Sequence, residues 1–196
     1  MERVRTFVAL GLPAPLRSAI AELAARASAA APAGLRWADA RQAHLTLAFL
    51  GDLDAERVAA AEGCVRPVAD ASTPFQSTLR GAGAFPDEAR ARVLWLGWGE
   101  GADAVVALHA RLEAALRAAG LPVEARRFTP HVTLARARSG VDARRVLAPI
   151  AQWQSEPWEV ASLDLLASTL TPAGARHRLM LRAPLDARRG ERGERG

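Results

Sequence analysis

Two short polar patterns contain the residues of this chain that are best suited to acid–base chemistry. The tetrapeptide HLTL begins at His44 and HVTL begins at His131, about 85 residues further along. Residues i and i+2 of a β-strand lie on the same face, so we expect His44 to share a face with Thr46, and His131 with Thr133. Each pattern therefore predicts an imidazole beside a hydroxyl group.

The residues between and after these polar positions are apolar. Leu45, Leu47 and Phe49 are predicted to point into the core from the first strand, and Val132 and Leu134 from the second. A polar face opposite an apolar face indicates that the polar side lines a cleft. One such pattern is weak evidence, because a lone histidine in a strand is usually structural. Two copies at matching places in two similar halves are much stronger evidence.

Two imidazoles and two hydroxyl groups around one small volume suit the cleavage of a phosphodiester. A neutral histidine can take a proton from an attacking water, and a protonated one can give a proton to a departing ribose oxygen. Threonine hydroxyl groups can donate hydrogen bonds to the non-bridging phosphate oxygens, where charge accumulates in the transition state. This scheme requires no metal ion and no cofactor.

The elements that must position these motifs repeat along the chain. Residues 3–11 and 92–99 are predicted strands, and each precedes a helix with apolar residues at helical spacing. The motif strands follow, and then predicted helices near 54–69 and 142–151. Further strands are predicted at 75–84, 158–168 and 176–183. Two halves of strand, helix, strand, helix, strand predict a bilobal α+β fold with two pseudo-symmetric lobes.

Composition sets limits on the setting of the protein. The net charge of +5 suits a polyanionic partner, although arginines on solvated surfaces would give the same excess. Cys64 is the sole cysteine, so no internal disulfide is possible, and no metal-ligand pattern surrounds it. We found neither a long apolar segment nor a signal peptide, which predicts a cytoplasmic protein with no membrane association. Residues 1–185 are interpreted as one domain and 186–196 as a disordered tail.

The paired motifs resemble those of the 2H phosphoesterase superfamily, and the chain is similar to its RNA 2′,3′-cyclic phosphodiesterases, also called 2′-5′ RNA ligases. The likeness covers residues 3–185. It includes RTFVAL, HLTLAFLG, GAGAFP followed by RVLWLG, RFTPHVTLAR and STLTPAGAR, in the order and spacing of that family.

The resemblance implies a bilobal fold in which each lobe is an antiparallel sheet with helices on its outer face, and the active site lies in the groove between the lobes. It also implies hydrolysis of a 2′,3′-cyclic phosphate to a 2′-phosphate, with reversible 2′-5′ joining of RNA ends as the reverse chemistry. It implies that His44 is the proton donor and His131 the proton acceptor, roles that the spacing leaves open. It also places Arg136 near the phosphate. A regular strand would point Arg136 away from His131, so it reaches the phosphate only if the strand twists, bulges or ends first.

Several assignments stay open at this level. Phe128 could stack on a nucleobase, or it could be a core residue. His109 and His177 are interpreted as structural or surface residues. Trp95, Trp98 and Trp158 are expected in the core, and Trp37 could line the groove. The substrate is predicted to be RNA or a nucleotide with a 2′,3′-cyclic phosphate, bound by a monomer. The alternatives are another cyclic phosphate, a 2′-5′ oligonucleotide, or a nucleotide- or RNA-binding module without turnover.

Overall fold

A computed structural model describes residues 3–124, 127–171 and 174–186 of the chain. Most of the proposed tail lies outside the described residues. The strands are β1 Val4–Gly11, β2 Leu35–Trp37, β3 His44–Leu53, β4 Phe75–Ser77, β5 Leu79–Phe85, β6 Ala91–Trp98, β7 His131–Val141, β8 Trp158–Val160, β9 Ser162–Thr171 and β10 Gly174–Pro184. The helices are α1 Ala14–Ser28, α2 Ala55–Asp70, α3 Ala102–Ala118 and α4 Arg144–Leu147.

The large sheet brings the two motif strands together at its centre. Its order is β10-β9-β1-β3-β7-β6-β5, with β2 paired to β7 and every neighbouring pair antiparallel. A separate two-stranded sheet joins β4 to β8. The predicted α+β class is thus confirmed. The symmetry of whole lobes stays a prediction, since the strands flanking β3 and those flanking β7 differ in number.

The core lies on the side of the sheet opposite the motif histidines. Leu45 and Leu47 of β3 and Val132 and Leu134 of β7 are buried, as the alternation predicts. The three long helices each add a buried apolar stripe to the same cluster: Leu16, Ile20, Leu23 and Ala27 from α1, Ala61, Val65, Val68 and Ala69 from α2, and Val105, Leu108, Leu112 and Leu116 from α3. Within the described residues, no helix is both long and apolar enough to cross a membrane.

The predicted helix at 142–151 is much shorter than expected. It runs only over Arg144–Leu147, and turns follow it. Val146, Leu147 and Ile150 are buried at the helical spacing that suggested a longer element. Ala148 still has helical backbone angles, but Pro149 lacks the backbone N–H that the next helical hydrogen bond needs.

Two predicted strands each divide into two pieces. Residues 75–84 become β4 and β5, and residues 158–168 become β8 and β9. The first pieces, β4 and β8, pair with each other outside the main sheet. The chain thus changes sheets at Thr78 and Ala161, which an unbroken apolar pattern does not reveal.

Truncation of Leu112 tests how much the apolar seam of α3 contributes to stability. Leu112 is fully buried, whereas Val106 on the same helix is 45% exposed. We expect Leu112→Ala to lower the free energy of unfolding by about 2–5 kcal/mol, because it leaves a cavity. Val106→Ala should change it by less than about 1 kcal/mol. Urea unfolding of both variants measures this difference, and equal losses would contradict the proposed burial.

Candidate active site

The two motifs meet where β3 pairs with β7. Among the described residues these strands are paired at Leu45 and Val132. Because the strands are antiparallel, the residues flanking this pair face each other: His44 opposite Thr133, and Thr46 opposite His131. Leu45 and Val132 both point into the core, so all four polar side chains lie on the opposite face. The structure thus brings together the two imidazoles and two hydroxyl groups predicted from the sequence.

Each imidazole is oriented by a carbonyl two residues before it. His44 Nδ1 lies 2.8 Å from the oxygen of Gln42, and His131 Nδ1 lies 2.7 Å from the oxygen of Thr129. A carbonyl can only accept a hydrogen bond, so Nδ1 carries the proton in each neutral ring. Nε2 of each ring is therefore the atom left to exchange protons with a substrate.

Different aromatic neighbours flank the two histidines. Phe7 and His177 pack on His44, with ring centroids 4.9 and 5.0 Å away. Phe85 lies 5.2 Å and Trp95 6.3 Å from the ring of His131. These rings withdraw both imidazoles from water and limit their rotation.

Burial lowers the pKa of both histidines. The pKa of His44 falls from 6.5 to about 4, mainly by desolvation, and the charges of His177, Arg136 and His131 lower it further. Desolvation also lowers the pKa of His131, followed by the charge of Arg136. The hydrogen bonds to the backbone carbonyls oppose both shifts. Both rings are consequently neutral at pH 7 in the free protein.

A β-bulge decides the direction of Arg136. Thr133 pairs with Trp95 and Ala135 with Leu94, so β7 has one extra residue, Leu134, at this point. The bulge reverses the alternation, and Arg136 returns to the face of His131. Its Nη2 lies 3.5 Å from Thr133 Oγ1, which is at the long limit for a hydrogen bond. The sequence left this direction open, and the bulge decides it.

The same irregularity in β3 makes the prediction for Phe49 wrong. Thr46 pairs with Ala9 and Ala48 with Val8, so Leu47 is the extra residue there. Phe49 pairs with Phe7, whose ring contacts His44, and it therefore lies on the polar face instead of in the core. The guanidinium of Arg5 lies 4.4 Å from the centre of its ring. Regular alternation cannot anticipate this reversal.

His109 stabilises the bulge of β3 from the helix side of the sheet. Its Nδ1 donates a hydrogen bond of 2.8 Å to the carbonyl of Leu47, the extra residue. Phe128 is stacked on its ring, with centroids 3.9 Å apart, and is packed against the core. The structure thus places Phe128 in a packing role, and its contact with a nucleobase stays a prediction.

The tryptophans only partly follow their predictions. Trp158 is buried and Trp98 is packed against the core, and their rings make an edge contact at 5.2 Å, as expected of core residues. Trp95 differs, because it lies on the polar face beside His131, over the space that a side chain at Gly83 would fill. Trp37 is half-buried against the core.

His177 is the site neighbour that sequence reasoning missed. It belongs to neither H-x-T motif, and its ring lies 5.0 Å from that of His44 although β9 and β1 separate β10 from β3 in the sheet order. No sequence signal marks that contact.

In the described part of the chain, no cluster of three or more His, Cys, Asp or Glu side chains could hold a metal ion.

Comparison with known proteins identifies the family to which this chain belongs. Residues 12–171 match the model of the 2′-5′ RNA ligase superfamily. The chain belongs to the 2′-5′ RNA ligase superfamily. Within this superfamily, it is 32% identical over 145 residues to an RNA 2′,3′-cyclic phosphodiesterase of Aquifex aeolicus, which covers 71% of the chain and 76% of the relative. A Thermus thermophilus protein of the same name is 32% identical over 196 residues, covering 97% and 93%.

A solved member of the superfamily shares the fold. The crystal structure of Escherichia coli LigT complexed with 3′-AMP matches this chain with a TM-score of 0.74 and 28% identity, covering 94% of this chain and 99% of LigT. The expected family membership and the α+β fold class are therefore confirmed.

The low pKa of His44 should be visible in the stability of the protein. Between pH 6.5 and about 4 the unfolded chain binds a proton at His44 and the folded chain does not, so stability falls as the pH falls. Across this pH range the unfolding free energy falls by about 3 kcal/mol through His44. We expect the loss of unfolding free energy between pH 7 and 4.5 to be about 2–3 kcal/mol smaller in His44→Asn than in the wild type, measured by urea unfolding. Equal losses in the two proteins would show that the His44 pKa is not depressed.

Proposed function

We propose that this protein hydrolyses 2′,3′-cyclic phosphate ends of RNA to 2′-phosphomonoesters, with His44 as the proton donor and His131 as the proton acceptor. The observation that carries the proposal is the pairing of Leu45 with Val132, which sets each histidine opposite the threonine of the other motif. The names of the relatives support this choice of substrate, since both act on RNA 2′,3′-cyclic phosphates.

The reaction is an in-line displacement at phosphorus. Nε2 of His131 accepts a proton from water as the water oxygen forms its bond to phosphorus. The bond from phosphorus to the 3′ oxygen breaks, and His44 donates its Nε2 proton to that oxygen. The products are a 2′-phosphate and a 3′-hydroxyl group, and solvent then returns the two histidines to their starting protonation states. Each proton transfer contributes roughly 10²–10⁴ to the rate.

Thr46, Thr133 and Arg136 stabilise the charge that develops on the phosphoryl oxygens. The two hydroxyl groups lie on the face of the imidazoles and donate hydrogen bonds to the non-bridging oxygens. The guanidinium of Arg136, which reaches this face through the bulge at Leu134, adds a charge-assisted interaction. These groups supply the electrostatic stabilisation by themselves, so the proposed mechanism needs no metal ion.

Binding of the anionic substrate also favours the protonated form of His44 that a proton donor needs. In the free protein its pKa of about 4 leaves it mostly neutral, which is unsuited to a proton donor. A bound phosphate next to the ring favours the imidazolium form and raises the pKa of His44. Binding thus prepares the donor, and a 5′-hydroxyl group in place of water would form a 2′-5′ bond by the same steps.

Replacement of the two histidines tests the proposal directly. We expect His44→Ala and His131→Ala each to lower kcat for 2′,3′-cyclic AMP by roughly 10²–10⁴, since each removes one proton transfer. The assay contains EDTA, and chromatography identifies the product as 2′- or 3′-AMP. Circular dichroism checks that both variants are folded.

Full activity in both variants would rule out the two-histidine mechanism. If the wild type does not hydrolyse 2′,3′-cyclic AMP, the substrate is instead another cyclic phosphate or a 2′-5′ oligonucleotide. Both are therefore tested in the same assay. Tight binding of 2′-AMP without turnover of any of these compounds would indicate a binding module.

The depressed pKa values predict an unusually acidic pH optimum. The acceptor His131 must be neutral, so activity is lost below its pKa, and the donor His44 must be protonated, so activity is lost above its pKa. Both pKa values lie below 6.5 in the free protein. We therefore expect a bell-shaped profile of kcat/KM with its maximum on the acid side of pH 6.5.

Arg136→Gln provides the internal comparison for this profile. Its charge lowers the pKa of both histidines, so its removal should move the maximum to higher pH while lowering the rate. A wild-type maximum above pH 7.5, or no shift in the variant, would contradict the assigned electrostatics.

A further inference from the structure

Gln42 links the proposed proton donor to the edge strand of the sheet. Its backbone oxygen accepts the hydrogen bond from His44 Nδ1. Its side-chain Oε1 accepts from the backbone N–H of His177 at 2.7 Å, and its Nε2 donates to the carbonyl of Ala175 at 3.2 Å. One side-chain amide thus engages a donor and an acceptor of β10, much as a neighbouring strand would. The backbone that orients His44 is thereby attached to a segment over 130 residues away.

The same attachment brings the ring of His177 onto His44. The two rings meet edge to face, with centroids 5.0 Å apart and an interplanar angle of 89°. Phe7 contacts both, at 4.9 Å from each, so the three rings form a closed triangle. His177 Nδ1 is buried and has no hydrogen-bond partner in the described part of the chain. The ring therefore contributes through packing against His44 rather than through a hydrogen bond of that nitrogen.

The support of His131 has a different origin. Its orienting carbonyl belongs to Thr129, and its aromatic neighbours Phe85 and Trp95 come from β5 and β6. A change at Gln42 or His177 should therefore affect one histidine of the pair and leave the other unchanged. This asymmetry makes the role of β10 experimentally separable.

We propose that Gln42 and His177 are positioning residues that hold the His44 imidazole in the orientation needed to protonate the departing oxygen. The assignment deepens the proposed function and rests on it for its catalytic meaning. Gln42 sets the direction of Nδ1, and hence of Nε2, while His177 and Phe7 prevent the ring from rotating. The titratable and charged groups that act on His44 are His177 from β10 and Arg136 and His131 from β7.

Nuclear magnetic resonance of the histidine rings tests the positioning without any substrate. The chain has four histidines, so single replacements can assign every ring signal. In Gln42→Ala we expect the Nδ1 proton of His44 to exchange faster and the pKa of His44 to rise by at least about half a unit, because its ring becomes better solvated. The signals and the pKa of His131 should stay as in the wild type. A merely structural role of Gln42 would change both histidines or neither.

Steady-state kinetics with 2′,3′-cyclic AMP test the catalytic consequence. We expect Gln42→Ala and His177→Ala to lower kcat roughly tenfold or more with KM within about threefold, as expected when transition-state stabilisation is lost. His177→Phe keeps an aromatic ring against His44 and should retain kcat within about threefold of the wild type. Gln76→Ala removes an exposed glutamine on β4 and serves as the matched control, with no change expected.

Two results would overturn the proposal: wild-type kcat in both alanine variants, or a disturbance of His131 as large as that of His44. A wild type that hydrolyses none of the cyclic phosphates would refute the proposed function instead. The resonance experiment would still decide in that case whether Gln42 and His177 orient His44.

Discussion

The meeting of β3 and β7 at Leu45 and Val132 is the constraint on which the candidate site depends. Each motif strand also pairs with a strand of its own half, β3 with β1 and β7 with β6. Only this antiparallel contact between the halves sets His44 opposite Thr133 and His131 opposite Thr46. The side chains of Leu45 and Val132 themselves pack into the core on the opposite face of the sheet. Burial of the core and assembly of the polar face are therefore one structural event, since a shift by one residue would exchange the two faces.

Assembly of the site costs free energy because both imidazoles lose contact with water. Placing two imidazoles among aromatic rings disfavours their charged forms, which lowers the pKa of each histidine. The backbone carbonyls of Gln42 and Thr129 offset part of this cost and also select the tautomer. An environment that disfavours an isolated positive charge still accepts it beside an anion. The free protein thus has a neutral pair that is ready to be polarised by a phosphate.

Bulges and long-range contacts complete the site. An extra residue in each motif strand, Leu47 and Leu134, brings the side chain five positions after each histidine back to the polar face. His109 donates to the carbonyl of Leu47 from the helix side, and His177 packs on His44 from β10. All four histidines of the chain therefore contact or support the site, although only two belong to the motifs.

The sequence by itself determined the elements that have strong periodicity and the residues that repeat. The long helices, the motif strands and the polar faces of His44, Thr46, His131 and Thr133 follow from spacing alone, because local backbone geometry places i and i+2 together. Spacing could not determine the direction of Phe49 and Arg136, since a bulge is a property of pairing between two strands. Pro149 ends α4 earlier than the apolar pattern of residues 142–151 predicts. The contacts of His109, His177 and Gln42 join segments 62 to 135 residues apart, so they exist only once the tertiary fold has formed. Tertiary structure therefore decided which side chains surround the motif histidines, because those neighbours are fixed by strand order and register rather than by local sequence.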